Sequence, residues 1–87
     1  MKSRATAGFW KHYDRLPQHI QEAAERAYVL WRDNPSHPSL QFKRIHPHAP
    51  LFSARVGRSY RAVGVMQDDV LVWYWIGTHA EYDHLLK

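Results

Sequence analysis

Cysteine is absent from the 87 residues. That excludes disulfides and thiolate chemistry, and it fits a reducing compartment. No apolar run reaches the roughly 20 residues that span a bilayer. The opening stretch "MKSRATAG" lacks the apolar centre of a signal peptide. The expectation is a cytoplasmic protein with no membrane partner. Glycine is scarce, at four residues, and no Gly-rich phosphate loop is present. Acid is missing locally. Residues 40–67 hold Lys43, Arg44, Arg55, Arg58 and Arg61 but neither Asp nor Glu, whereas the rest of the chain holds seven bases and eight acids. The formal net charge of +4 is therefore concentrated in one half of the sequence. A basic, acid-free surface is the footprint of a phosphate binder or of a protein covered by an acidic partner.

Hydrophobic residues make up 45% of the chain, which argues against disorder. The length fits one domain covering residues 1–87. A domain this small buries only about 60% of the surface its unfolded chain exposes, so its core is marginal.

Thr6 can cap a first helix carrying Phe9, Trp10, Tyr13 and Leu16 at helical spacing. Pro17 suits the start of a second. Ile20, Ala23, Ala24, Ala27, Tyr28 and Trp31 then form one apolar stripe, which reads as core. "DNPSHPS" at 33–39 is turn chemistry. Strands are expected at 40–45, 51–56, 60–66 and 70–76, with "HPHAP" as a loop and turns at "GRS" and "QDD". Helices precede strands, so the fold class is α+β. Two N-terminal helices should pack on one face of a small antiparallel sheet, followed by a short C-terminal helix. Strand parity puts Ala62 and Gly64 beneath the helices, leaving room for Tyr28 and Trp31, and puts Arg61 on the opposite, open face. Arg55, at similar height on the neighbouring strand, is expected to join it.

Seven histidines raise a metal hypothesis. None forms an i, i+4 pair on an expected helix, and His46 and His48 lie in a loop without a nearby carboxylate. No metal and no cofactor are expected. The remaining constellation is Arg55, Arg58, Arg61, His79 and Tyr82. RNA cleavage by its own 2′-hydroxyl needs a base, cations on the phosphoryl oxygens, and an acid for the departing 5′-oxygen. Arginine suits the second task because its charge is permanent and its planar donor array fits phosphate. Histidine suits the proton transfers. Tyrosine can stack a base or donate a proton. His79 can equally be a strand-end residue and Tyr82 a helix side chain packed on the sheet. Spacing alone leaves both open.

The segments "FWKHYDRLPQHIQEAAERAYVLW", "LQFKRI", "FSARVGRSYRAVGV" and "DVLVWYWIGTHAEYDHLL" together resemble the RelE/ParE toxin superfamily of type II toxin–antitoxin systems. The pattern "RVGRSYRAV", then an acidic turn, an apolar strand and "GTHAEY", is most similar to the RelE, HigB and YafQ branches. The resemblance implies an mRNA endonuclease that acts on the ribosome without a metal, inhibits translation, and is held inactive in a hetero-oligomer with an antitoxin. By position, it implies that Arg61 stabilises the transition state, that His79 is the acid or base, and that Tyr82 orients the substrate. It also implies RNA contacts by Lys43, Arg44, Arg55 and Arg58. The same superfamily contains gyrase inhibitors and inert members. Two departures stand out. "MKSRATAG" is too short and polar to read as the family's first strand, so the sheet is expected to lack that edge or to receive it from a partner. "LFSAR" lacks the lysines of the RelE branch, so catalysis by lysine pairs does not carry over.

Overall fold

Period-two alternation at the N-terminus builds a strand where none was expected. The computed structural model describes residues 1–86. In it β1 (Lys2–Ala5) exposes Lys2 and Arg4 and half-buries Ser3 and Ala5. The charged side chains thus sit on the solvent side only. The strand runs parallel to β5 (Val70–Thr78), with Lys2 opposite Val70 and Ala5 opposite Trp73. A fully apolar neighbour supplies the ladder, and this overrides the weak local propensity of "KSRA". The sheet is therefore mixed rather than wholly antiparallel, and the chain supplies its own edge.

Thr6 ends β1 and starts α1 (Ala7–Asp14), its side chain accepting from the Phe9 amide at 3.1 Å. Pro17 is the N-cap of α2 (Gln18–Asp33). From its stripe Trp31 is buried at 1% exposure, whereas Tyr28 remains 42% exposed. Ala54, Ala62 and Trp73 pack with Trp31 in the helix-side core, as parity requires. The space at Gly64 is filled by Trp73, not Tyr28; a Cβ there would lie 3.1 Å from the indole. Trp10, on α1, is half exposed.

The expected strand at 40–45 is mostly something else. Pro38–Leu40 form a 3-10 turn that drives Leu40 into the core, and Gln41 takes a left-handed conformation with φ 44°. Only Lys43–Arg44 remain extended, as β2. Proline at the turn start and the positive φ of Gln41 break the extended backbone. Burying Leu40 contributes about 1.5–3 kcal/mol.

β3 (Leu51–Val56) and β4 (Tyr60–Gln67) pair antiparallel, with Arg55 opposite Arg61. β4 and β5 are joined through Asp68 and Asp69, both at positive φ, which is the backbone a two-residue hairpin needs. The strand order is β1-β5-β4-β3-β2. At Val63/Gly64 the register shifts, because β5 inserts Tyr74 between the partners Trp73 and Trp75. This bulge lets β5 turn Trp73 toward the helices and still set Ile76 opposite Ala62 in the core. α3 (His79–Leu85) follows β5 without a loop and covers the face opposite α1 and α2.

Candidate active site

A threonine and a glutamate fix the start of α3. The Thr78 side chain accepts from the Glu81 amide, while the Glu81 carboxylate accepts from the Thr78 amide at 2.9 Å and its hydroxyl at 3.0 Å. This reciprocal cap satisfies backbone donors that the first turn leaves free. These hydrogen bonds from Thr78 hold the Glu81 carboxyl below its ordinary value of 4.5. A carboxyl lowered on folding adds stability above its unfolded value and loses it as pH falls through the folded one. Wild-type protein is therefore expected to lose stability more steeply than Glu81→Gln as pH falls from about 5 to 3. Urea unfolding at each pH checks this; parallel profiles would contradict it.

Gly77 sets the space beneath that cap. A Cβ built there would lie 2.7 Å from the Trp75 ring and 2.9 Å from Glu81 Oε1. Gly77→Ala must push the indole or break the cap, so it is expected to cost about 1–3 kcal/mol. Urea unfolding measures the loss, and an unchanged midpoint would refute the clash.

The cap aims Tyr82 down at the sheet. Its ring is 5% exposed and lies against Arg61, whose Cζ is 5.1 Å from the ring centroid. Arg61 itself is 3% exposed. Its Nη2 donates to Ser53 Oγ at 2.8 Å and to the Gln41 carbonyl at 3.2 Å, and its Nη1 donates to Gln41 Oε1 at 3.2 Å. Its Nε has no partner among the described residues. No carboxylate of the described residues pairs with it. Tyr82 Oη also donates to Ser53 Oγ, at 3.2 Å. Parity placed Arg61 on the face away from the helices, but that face is not open. α3 closes it, because the capped helix returns directly over β4.

His79 begins α3 at the rim. Its amide donates to the Ser59 carbonyl at 2.7 Å, tying it to the β3–β4 turn. Its side chain is 54% exposed, with Nδ1 3.1 Å from Asp83 Oδ2. The imidazole meets the Tyr82 ring edge-on, centroids 5.8 Å apart. Tyr82 thus stands between a buried cation and an exposed imidazole.

The other bases do not converge as expected. Lys43 and Arg44 line an open groove whose far wall is Tyr82 and Leu86, and His46 and Pro47 continue it. Arg44 Nε donates to the His46 and Ala49 carbonyls, which orders the Pro-rich loop. Arg58 is exposed in the β3–β4 turn. Arg55 does not join Arg61. Its Nε donates to the Gly57 carbonyl at 2.9 Å, and the residue lines a cleft against α2 with Arg26 and Ser39. β2 is too short to flank this end of β3, so the arginine folds around the open edge. Among the described residues, no three His, Asp or Glu side chains gather as metal ligands.

Sequence reasoning missed Ser53, Gln41 and Asp83. Ser53 carried a signal: it is a polar residue on the same face as Arg61, in register with Val63. Gln41 carried none, since its role depends on the left-handed turn.

Against known proteins, the ParE-like toxin domain model matches residues 18–84. The chain belongs to the ParE-like toxin domain family. This ParE-like domain has no sequence match among curated proteins. Its fold is similar to that of YafQ from E. coli strain BL21(DE3), at TM-score 0.74 and 14% identity, covering 93% of this chain and 96% of that one. It is also similar to the RelB–RelE antitoxin–toxin complex from Methanococcus jannaschii, at 0.72 and 20%, covering 92% and 95%. The toxin–antitoxin complex RelBE2 from Mycobacterium tuberculosis matches at 0.69 and 25%, covering 88% and 95%. No helix among the described residues of the domain is long and apolar enough to cross a membrane.

Proposed function

We propose that this ParE-like domain is a toxin that cleaves mRNA on the ribosome, by attack of the RNA 2′-hydroxyl and without a metal, and that an antitoxin holds it inactive in a hetero-oligomer. One observation carries the reading. A guanidinium at 3% exposure, with neither a carboxylate nor an Nε partner among the described residues, lies one aromatic ring from an exposed histidine. A buried charge left so incompletely paired is costly for folding, and functional sites are where such costs collect.

Of the three residues holding Arg61, Gln41 alone is exposed. Its Oε1 on Nη1 occupies the place of a phosphoryl oxygen. When the Gln41 side chain swings out, the scissile phosphate takes that position. The 2′-oxygen then attacks phosphorus and the bond to the 5′-oxygen breaks, leaving a 2′,3′-cyclic phosphate and a 5′-hydroxyl. Arg61 stabilises the added negative charge. His79 takes the 2′-hydroxyl proton while water gives one to the 5′-oxygen, or, when protonated, gives the 5′-oxygen its proton while water takes that of the 2′-hydroxyl. Tyr82 orients the nucleotide between them. Lys43, Arg44 and Arg58 hold flanking phosphates, and Arg55 contributes at longer range from its separate cleft.

The test is induced expression together with translation in a cell-free extract. Growth arrest and new 5′-hydroxyl ends within codons are the expected results. A second reading, inhibition by binding alone as in the gyrase-inhibiting branch, draws on the same burial of Arg61, which closes the cation off in the free protein. A DNA-damage response with intact messages would select it.

A further inference from the structure

Ser53 is 0% exposed and is neither one of the bases nor one of the residues assigned to proton transfer or substrate orientation. It lies mid-sheet, opposite Lys43 on β2 and Val63 on β4. From there its hydroxyl oxygen accepts from two groups on different elements: Arg61 Nη2 on β4 at 2.8 Å and Tyr82 Oη on α3 at 3.2 Å. Two donors fill the two lone pairs of a hydroxyl oxygen. Packing alone does not ask for this residue. A fully buried hydroxyl is costly unless bonded, and alanine would occupy the site more cheaply.

We infer that Ser53 is a positioning residue that clamps the Arg61 guanidinium to the Tyr82 phenol and so fixes the distance between cation and aromatic ring. The inference rests on the proposal that these two groups meet the RNA. Of the guanidinium's three hydrogen bonds among the described residues, the one to Ser53 is the shortest and its acceptor is buried, whereas Gln41 is exposed. Substrate can displace Gln41 without disturbing Ser53. The clamp therefore persists while phosphate binds, holding Nη2 while Nη1 becomes free. Without it, the long arginine side chain regains rotamer freedom, and Tyr82 loses the hydrogen bond that seats its hydroxyl. A misplacement of about 1 Å in a positioning contact costs on the order of 10²-fold in rate.

The test compares wild type with Ser53→Ala and Ser53→Cys. Alanine deletes the acceptor. Cysteine fills the space with a poor one, which separates hydrogen bonding from packing. Two readouts are taken on the full chain: the nitrogen–proton NMR signals of the Arg61 guanidinium, and single-turnover cleavage of a ribosome-bound message. Wild type should show separate Nη proton signals from a guanidinium that rotates slowly. Both variants should show averaged signals and cleave about 10²-fold more slowly at saturating message, with half-saturation within about threefold of wild type. Unchanged guanidinium signals in both variants, or wild-type cleavage by Ser53→Cys, would overturn the clamp. If wild type does not cleave at all, the endonuclease reading fails while the NMR comparison still decides the clamp.

Discussion

Arg61→Met is expected to cripple cleavage while making the protein more stable. The guanidinium is 3% exposed, and its partners among the described residues are all neutral: Gln41, Ser53 and the Tyr82 ring. Burying an ion costs several kcal/mol even after relaxation. The hydrogen bonds and a desolvated cation–π contact of about 2 kcal/mol offset part of that. Methionine is shorter but of comparable volume and flexible, with no charge and a sulfur that packs well on a ring. The groups left behind are not stranded. Ser53 keeps Tyr82, and the side-chain amide and backbone carbonyl of Gln41, an exposed residue, return to water. We expect a gain of about 1–3 kcal/mol, seen as a rise in Tm of about 4–8 °C per kcal/mol. Cleavage should fall about 10²- to 10³-fold, the usual cost of deleting one preorganised group that stabilises developing charge. Arg61→Lys should also be crippled, because one ammonium cannot reproduce the planar set of donors shared between Ser53 and Gln41. Thermal unfolding and the cell-free assay check both halves. A lower Tm would make Arg61 a structural residue, and retained cleavage would remove it from the site.

The parts of this fold that depend on local pattern were legible in the sequence. Thr6 caps α1, Ala23, Ala24, Ala27 and Trp31 of the α2 stripe face the core although Tyr28 stays exposed, and Ala62 lies beneath them while Arg61 points the other way. What escaped depends on partners distant in the chain. β1 has a polar composition and exists because β5 offers it a complete apolar edge. The 3-10 turn before Gln41 replaced most of an expected strand because Leu40 gains more from the core than from a ladder position. The acid-free composition of 40–67 was real, but its five bases go to separate places. Lys43 and Arg44 line the groove, Arg58 is in a turn, Arg55 folds around the β3 edge, and Arg61 is under α3. Parity fixes which face a residue occupies; it does not reveal what covers that face. The helix "HAEYDHL" looked like a chain end, yet its capping box is what closes the site.

That closure leaves His79 as the exposed chemical group, and its replacement is the sharpest test of whether the domain is an enzyme. Its backbone is held independently of its ring, by the amide donating to Ser59. Among the described residues the ring has two contacts that bear on folding: the exposed Asp83 pair, a surface pair worth about 0.2–1 kcal/mol, and the edge-on contact with Tyr82, worth at most about 0.5–1.5 kcal/mol. His79→Gln should therefore fold, keep the Thr78–Glu81 cap, and bind its antitoxin as wild type does. A side chain that moves a proton in the transition state typically supplies 10²- to 10⁴-fold, so cleavage should fall by about that factor. Half-saturation for message should hold, because Lys43 and Arg44 remain to bind phosphate. Single-turnover cleavage, with thermal unfolding and antitoxin pull-down as controls, separates the outcomes. A folded, antitoxin-binding His79→Gln protein that cleaves at the wild-type rate would take the imidazole out of the mechanism. One that arrests growth without cleaving would move the activity to the binding surface, where Arg61 stays buried and neither residue needs to touch a scissile phosphate.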